Sequence, residues 1–310
     1  MADPLTVDIK RHGLEDGPGI RSVVFFKGCP LRCVFCHNPE AQRFEAEILF
    51  RPTACIDCRD CVAVCASGAI PPGGPVGRDP ERCTACGACS RVCPSSALSL
   101  VGQPLSVAEI VQIVLRDEAY YRHSGGGVTL SGGECTAFPE FVHELLSALR
   151  DHGIHTAIET CGEFAFASFA ARILPLVDLI LFDVKLADPR AHLRFKGRGN
   201  ERVWSNLASL LEVAPERVEV RVPLVPGITA TDDSLVAIAE RALRLGARGL
   251  TLLPYNPLGA VTAEGLGRPY PEQVPRAFMQ AAETQHIISR FEREMAKSLS
   301  PVRASSAART

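Results

Sequence analysis

Cysteines are the residues of this chain most able to do chemistry, and there are 13 of them among 310 residues. Eleven lie between residues 29 and 93, in three groups with regular spacing. In a reducing compartment disulfides are disfavoured, so clustered cysteines are expected to be metal ligands or catalytic groups. The first group, Cys29, Cys33 and Cys36, offers three thiols where a structural metal site needs four. Either a fourth ligand lies elsewhere, or the metal keeps one position open for a molecule that is not protein.

The second and third groups repeat one spacing, C-x2-C-x2-C-x3-C, which is typical of bacterial ferredoxins with two 4Fe–4S clusters. In that arrangement the first three cysteines of a run bind one cluster and the fourth crosses to the other. One predicted cluster is bound by Cys55, Cys58, Cys61 and Cys93. The other is bound by Cys83, Cys86, Cys89 and Cys65. Zinc knuckles are the alternative, and they rarely repeat such a run.

This assignment uses all eight cysteines of the second and third groups and leaves none to complete the first. The distant Cys135 and Cys161 have no paired spacing. We therefore predict that the fourth iron of the first cluster is open and binds a small molecule. Cys135 is predicted to be a small apolar filler, with a redox role as the alternative, and Cys161 to be a core residue.

The stretch LEDGPGIRSVVFFKGCPLRCVFCHNPE (14–40) carries the first group as C-x3-C-x-aromatic-C, with Phe35 as the aromatic residue. This form resembles the signature of the radical S-adenosylmethionine (SAM) enzymes. The D-G-P-G-x-R motif ahead of it is similar to that of the glycyl radical enzyme activating enzymes. The resemblance implies that the open iron chelates the amino and carboxylate groups of SAM. Reductive cleavage would then give methionine and a 5′-deoxyadenosyl radical, which abstracts a hydrogen from the Cα of a glycine in a partner enzyme.

The elements that must position these groups alternate between strands and helices. Apolar, mostly β-branched or Leu-rich runs predict strands at 22–27, 127–131, 154–158, 178–184, 217–224 and 249–253. Between them, Ser106 and Glu109 form a capping box, and Pro139 begins a helix that ends near Gly153. Six such strands predict an α/β fold with a parallel sheet, closed or half-closed as a barrel.

The resemblance names this fold as a partial (β/α)6 TIM-like radical SAM barrel with an inserted ferredoxin-like domain that holds two 4Fe–4S clusters. We expect the start of the barrel and its cluster loop in residues 1–50, and the ferredoxin-like insert in residues 51–100. The remainder of the barrel is expected in residues 101–300. The polar residues 301–310 are expected to form a disordered tail.

Polar motifs follow the predicted strands, at the end where the active sites of such barrels gather. Gly132, Gly133 and Glu134 follow the second strand, where a backbone without side chains can approach a ligand closely. They match the G-G-E motif of the family, which by resemblance receives the SAM amino group. The family usually continues with proline, whereas Cys135 follows here.

Charged residues end the next strands. Asp183 and Lys185 point to one face, because strand side chains alternate, although such a pair is more often an ordinary salt bridge. By resemblance both lie against SAM, and Glu159 with Asp183 is expected to ligate a monovalent cation. Arg221 is similar to a family arginine near the SAM carboxylate, which suits its planar fork.

Three further residues are candidate cofactor contacts by resemblance. Phe35 and His37 belong to the cysteine motif, with His37 expected near the adenine and a plain loop histidine as the alternative. Asn256 stands where relatives often carry histidine, so that it can donate a hydrogen bond but cannot titrate.

Composition excludes several other functions. The net charge is −2 with scattered lysine and arginine, which argues against nucleic-acid binding. The most apolar stretch, residues 164–182, contains Arg172, Pro175 and Asp178, which argues against a membrane span. The stretch MADPLTVDIK lacks the features of a signal peptide, so we expect a cytoplasmic protein.

The implied partner is a glycyl radical enzyme, of which the sequence does not indicate the type. A flavodoxin or ferredoxin is the expected reductant, with the insert relaying electrons or, alternatively, docking the partner. A radical SAM enzyme acting on a small molecule or peptide is the second functional hypothesis. A non-catalytic electron-transfer protein is the third, and it does not explain a cluster with one ligand missing.

Overall fold

The computed structural model describes residues 3–306, with side chains described through residue 293. Ten strands are formed within this range: β1 (Leu5–Gly13), β2 (Arg21–Lys27), β3 (Glu47–Phe50), β4 (Leu98–Val101), β5 (Gln103–Pro104), β6 (Gly127–Gly132), β7 (His155–Thr160), β8 (Leu179–Asp183), β9 (Val218–Leu224) and β10 (Leu250–Pro254). The α-helices of the same range are α1 (Asp60–Ala63), α2 (Ala88–Val92), α3 (Val107–Val114), α4 (Glu118–Ser124), α5 (Pro139–Asp151), α6 (Phe166–Arg172), α7 (Pro189–Lys196), α8 (Glu201–Val213), α9 (Asp232–Arg244), α10 (Gly259–Gly265) and α11 (Ala281–Ser306).

Eight strands form one sheet in the order β10-β9-β8-β7-β6-β2-β1-β5. The six strands from β10 to β2 are parallel, and they are the six that the sequence predicted. β1 and β5 extend the sheet in antiparallel orientation. Because β10 and β5 stand at opposite ends of this order, the barrel is open, as the prediction of a partial barrel requires.

Helices α3, α5, α6, α8 and α9 pack their apolar faces on this sheet in one large hydrophobic core. Burying a side chain such as Leu145 or Ile158 stabilises the fold by about 1.5–3 kcal/mol. The predicted helix boundaries are confirmed by their caps. Ser106 Oγ accepts a hydrogen bond from Glu109 N at the start of α3, and Gly153 follows α5 with a φ of +68°.

The loop between β1 and β2 contains the DGPG sequence and lies at the amino end of the parallel strands. Arg21, the arginine of the same motif, is fully buried, and its Nε donates to Thr129 Oγ1 over 2.7 Å. A Cβ atom at Gly19 would lie 2.5 Å from Gly126 N, so only glycine allows this contact. The motif therefore fastens the β1–β2 hairpin onto the start of β6, a structural role that its turn-forming residues alone do not indicate.

The insert, residues 51–100, leaves and rejoins the barrel through the antiparallel pair β3–β4, in which Phe50 lies opposite Leu98. Helix α10 packs between the insert and the cluster loop, which we define as residues 28–42. A Cβ atom at Gly259 would lie 2.1 Å from Cys36 O, and one at Gly265 would lie 2.5 Å from Phe50 O. One short helix thus contacts the cluster loop and the strand that leads into the insert.

Helix α11 continues to Ser306, so the first six residues of the predicted disordered tail, 301–310, are helical. The disorder expected for this tail stays a prediction. Residues 307–310 lie outside the described residues. In the described part of the chain, no helix combines the length and the apolar character needed to cross a bilayer.

Candidate active site

The cluster loop follows β2 at the carboxyl end of the parallel strands and brings the first three cysteines together. Cys29 N donates to Gln42 O over 3.0 Å, and the Gln42 side chain donates back to Cys33 O over 2.9 Å. Cys36 N donates to Cys33 O over 3.2 Å, which closes a tight turn between the two cysteines. Gln42, which the sequence analysis did not single out, therefore sets the shape of the loop.

The end of α7 forms a second wall of this site. Arg32 N donates to Lys196 O over 2.8 Å, and Val34 N donates to Phe195 O over 3.0 Å. The Lys196 side chain is fully buried, and its Nζ lies 3.5 Å from the centroid of the Phe35 ring. Burial lowers the pKa of Lys196 to about 8. Sequence reasoning missed this residue because a lysine in the last turn of a helix is normally exposed.

The two cysteines outside the three groups are both buried. Cys161 packs against Cys29, and this interaction together with burial raises the pKa of the Cys161 thiol well above its usual value. Cys135 is completely inaccessible, with its thiol 3.6 Å from Glu159 O, and burial raises its pKa as well. Cys135 therefore fits the predicted apolar filler, whereas Cys161 is a core residue that also adjoins the candidate cluster site.

Charged side chains from β7, β8 and β9 form one connected row. Arg221 lies between two carboxylates, with Nη2 2.6 Å from Glu159 Oε1 and Nε 3.2 Å from Asp183 Oδ1. Lys185 Nζ lies 3.0 Å from Asp183 Oδ2. Ser131 Oγ donates to the other oxygen of Glu159. The sequence analysis named four of these five residues, and Ser131 was missed because a strand serine gives no signal of its own.

The row places Arg221 between the two carboxylates that were expected to ligate a monovalent cation, Glu159 and Asp183. Burial opposes ionisation of Asp183, yet Lys185 and Arg221 together hold its pKa below the usual value. Burial raises the pKa of Glu159 although Arg221 acts against it. The guanidinium thus balances part of the negative charge of this pair, and the cation stays a prediction.

The residues of the G-G-E motif contact other parts of the protein closely. Glu134 is fully buried, and its carboxylate accepts hydrogen bonds from Cys161 N at 2.7 Å and from Thr160 Oγ1 at 2.9 Å. Cβ atoms at Gly132 and Gly133 would lie 2.2 Å from Phe26 O and Gly28 O. These glycines therefore allow close contact with β2 and the cluster loop. That this motif also receives the SAM amino group stays a prediction.

The two remaining candidates lie near the mouth of the barrel. Asn256 follows β10, and its Oδ1 accepts a hydrogen bond from Leu258 N over 3.0 Å. This turn leads directly into α10 and so places Gly259 against Cys36. His37 is exposed, next to the last cysteine of the loop. Asn256 thus has a positioning role that its sequence context did not indicate.

In the insert, four of the cysteines, Cys55, Cys58, Cys61 and Cys93, line one cavity. In the other half, Cys65 acts electrostatically on Cys86 and Cys89, and Cys83 acts on Cys89. The pairing into two clusters stays a prediction. Cys65 and Cys93, the two crossing cysteines, each lie 3.7 Å from a serine hydroxyl. Backbone amides at Ile70 and Leu98 help lower the pKa of these two thiols, although partial burial acts against them.

The cysteines of the insert are all free thiols. Within the described residues, no group of three or more His, Cys, Asp or Glu side chains is arranged to hold one metal ion. Four thiols around a cavity suit a 4Fe–4S cluster, whose ligand sulfurs stand farther apart than those of a tetrahedral zinc site. The donor set, all thiols with amides directed at them, fits an iron–sulfur cluster.

Comparison with known families gives three matches. Residues 80–242 match the radical SAM superfamily, and residues 54–97 match a 4Fe–4S dicluster domain. Residues 15–65, which contain the first cysteine group, match a 4Fe–4S single cluster domain. SAM and iron–sulfur clusters are therefore the cofactors of this protein.

Curated relatives extend over most of the chain. It is 41% identical over 275 residues to the choline trimethylamine-lyase activating enzyme of Oleidesulfovibrio alaskensis, covering 86% of this chain and 88% of the relative. It is 39% identical over 261 residues to the trans-4-hydroxy-L-proline dehydratase activating enzyme of Clostridioides difficile, covering 83% and 86%. It is 40% identical over 276 residues to the benzylsuccinate synthase activating enzyme of Thauera aromatica, covering 86% and 83%. The chain belongs to the radical SAM superfamily and, within it, to the glycyl radical enzyme activating enzymes.

Proposed function

We propose that Cys29, Cys33 and Cys36 hold the 4Fe–4S cluster that binds SAM, and that the eight cysteines of the insert hold two more clusters. The observation that carries this proposal is the position of the cluster loop, whose Cys33 acts electrostatically on Lys185 of the charged row. When bound, the cluster and SAM together supply the one-electron cleavage that releases methionine and the 5′-deoxyadenosyl radical. The partner is a glycyl radical enzyme.

The row of charges is proposed to hold the methionine part of SAM. Arg221 uses Nε and Nη2 for Asp183 and Glu159, which leaves Nη1 for the SAM carboxylate. Lys185 adds positive charge on the same side, and its pKa is raised by Asp183 despite burial. Because the Glu134 carboxylate is occupied by protein donors, backbone carbonyls of Gly132 and Gly133 are the proposed acceptors for the SAM amino group.

The barrel mouth is proposed to exclude water while it admits the glycine of the partner. A reactive radical needs such a water-free site. The exposed His37 and the turn at Asn256 border the entrance beside α10, with Phe35 packed beneath them in an apolar cluster. The relatives with 39–41% identity are named as activating enzymes of a lyase, a dehydratase and a synthase. Because these names span different reactions, we propose only the class of the partner, a glycyl radical enzyme, and not the substrate on which that partner acts.

The insert is proposed to relay electrons from an external flavodoxin or ferredoxin. Cys58 and Cys86, one in each half, are exposed, so a donor protein can approach both clusters closely. Docking of the glycyl radical enzyme on the insert is the alternative. We propose a cytoplasmic location, because thiol clusters persist under the reducing conditions found there.

The test is an anaerobic comparison of the reconstituted wild type with a Cys29→Ala/Cys33→Ala/Cys36→Ala variant, both reduced with dithionite. Three clusters of four irons predict about twelve irons per chain. The variant is expected to lose about four of these irons and all SAM cleavage. A Cys135→Ala variant is the matched control, which should keep both. Cleavage that survives in the triple variant would contradict the proposed ligand set.

A further inference from the structure

Lys196 is a buried cation without a counter-charge of its own. Its side chain has no solvent exposure, and its Nζ has no hydrogen-bond partner among the described residues. The ring of Phe35 lies beneath it, with 3.5 Å between Nζ and the ring centroid. A cation–π contact of this kind contributes about 2 kcal/mol when desolvated, well below the cost of burying a charge. A further anionic group is therefore expected beside Lys196.

The surroundings show where that group must be. The carboxylate of Asp183 is bound by Lys185 and Arg221, so it is not available to Lys196. His192, on the same helix, is turned toward Arg198 O, 2.7 Å from its Nδ1. Phe35, over whose ring the amine lies, stands between Cys33 and Cys36 in the cluster loop, so these two thiols are the candidates for that group. Both thiols favour the charged form of Lys196, whereas Lys185 opposes it.

These thiols are the proposed cluster ligands, and ligation converts them to thiolates. The backbone holds the arrangement, because hydrogen bonds join Arg32 to Lys196 and Val34 to Phe195 on either side of Cys33. A fixed positive charge in a buried site stabilises the more negative of two redox states. For an iron–sulfur cluster the more negative state is the reduced one, so such a charge raises the reduction potential.

We propose that Lys196 raises the reduction potential of the SAM-binding cluster by holding a buried positive charge against Cys33 and Cys36. The inference rests on the ligand set proposed above. A higher potential makes it easier for the reductant to load this cluster, and it lowers by the same amount the driving force for passing the electron on to SAM.

The test is a redox titration of the reconstituted full-length protein, followed by the EPR signal that changes when SAM is added. Lys196→Met removes the charge from an apolar pocket, and its midpoint potential is expected to shift to a more negative value. A tenfold loss in the equilibrium constant for reduction corresponds to about 59 mV. Lys196→Gln keeps a polar end without the charge, and it is expected to shift in the same direction. Iron content and thermal unfolding check that both variants are loaded and folded.

Arg194→Met is the matched control, because it removes a positive charge from the exposed face of the same helix, two residues earlier. Its midpoint is expected to equal that of the wild type, since solvent screens this charge. An unchanged midpoint in both Lys196 variants, or an equal shift in Arg194→Met, would overturn the proposal. Weaker SAM binding at an unchanged midpoint would overturn it too, because Lys196 would then act on the SAM carboxylate and not on the cluster. If no signal of the wild type responds to SAM, the ligand set itself has failed.

Discussion

The cysteines of the barrel and those of the insert are positioned by contrasting means. In the cluster loop, Cys29 packs against Cys161 and Cys36 against Gly259, both from distant parts of the chain. In the insert, a short turn positions the cysteines of each half. Asp57 and Arg59 have positive φ angles around Cys58, and Ala85 and Gly87 have them around Cys86. The barrel site thus needs the whole fold, whereas each insert turn is specified within a few residues.

The two regions also differ in how far their cysteines and ion pairs are exposed to solvent. In the cluster loop Cys29 is buried and its two companions are half-buried, whereas each half of the insert has one buried cysteine and one exposed one, Cys58 or Cys86. Charges follow this pattern, because the ion pairs of Arg221 are buried and the pair of Arg59 with Asp57 is open to solvent. The comparison teaches that the barrel keeps its charged row largely buried, whereas the insert presents one cysteine of each half to solvent, as the proposed electron entry requires. Four experiments test this contrast.

The largest effect is expected for Arg221→Met. This change leaves the buried carboxylates of Glu159 and Asp183 facing each other without their cation, at a cost of about 3–5 kcal/mol. Arg59→Met breaks an ion pair whose side chains are 58% and 66% exposed, and it should cost less than about 1 kcal/mol. Thermal unfolding of the two anaerobic proteins measures the difference. Equal shifts would contradict the contrast between buried and exposed charges.

A smaller loss is expected for Gly259→Ala in α10. Alanine normally stabilises a helix relative to glycine by about 1 kcal/mol. Here its Cβ would lie 2.1 Å from Cys36 O, so overpacking should cost about 1–3 kcal/mol and displace the cluster loop. Gly249→Ala is the control, because a Cβ there meets nothing within 4 Å. Iron content and unfolding temperature report the effect, and a stabilised Gly259→Ala variant would refute the packing argument.

The order of iron loss is the third test. With an iron chelator under oxidising conditions, the insert clusters should be lost several-fold faster than the SAM-responsive cluster, because Cys58 and Cys86 are exposed. Released iron is followed by absorbance and the surviving cluster by EPR with SAM. Earlier loss of the SAM-responsive signal would show that solvent access does not govern cluster stability here.

The smallest effect is expected for the Ser67→Ala/Ser95→Ala variant. Each hydroxyl lies 3.7 Å from a crossing cysteine, and hydrogen bonds to sulfur stabilise the reduced cluster. Their loss should make the insert potentials more negative by about 20–40 mV, the equivalent of about 0.5–1 kcal/mol per bond. Ser90→Ala is the control, since Ser90 Oγ donates to Gly87 O rather than to a thiol. A shift to more positive potentials would contradict this role.

Much of this architecture could be predicted from local sequence. The six parallel strands follow from short apolar runs, and the helix start at Ser106 follows from its capping box. The relatives confirm the family that the DGPG and cysteine motifs indicate. These features depend on neighbouring residues, and so spacing along the chain is enough to find them.

The unpredicted features depend on residues that meet only in three dimensions. Nothing near Lys196 indicates that its amine is buried over Phe35, because the two residues are far apart in sequence. Arg221 matched a family motif, but its place between Glu159 and Asp183 requires the pairing of β8 with β9. Strand β1 was not predicted, because polar residues alternate with apolar ones along it and weaken the apolar signal.

The contact between α10 and the cluster loop also bears on how the protein is made. Cys36 is synthesised early, whereas Gly259, which packs on its carbonyl, follows 223 residues later. At about 5–20 residues per second, the ribosome leaves the loop uncovered for about 10–45 s. The turns of the insert are complete long before that. Iron delivery during translation would therefore fill the insert first, and the barrel site would become competent only once the last strand and α10 have emerged.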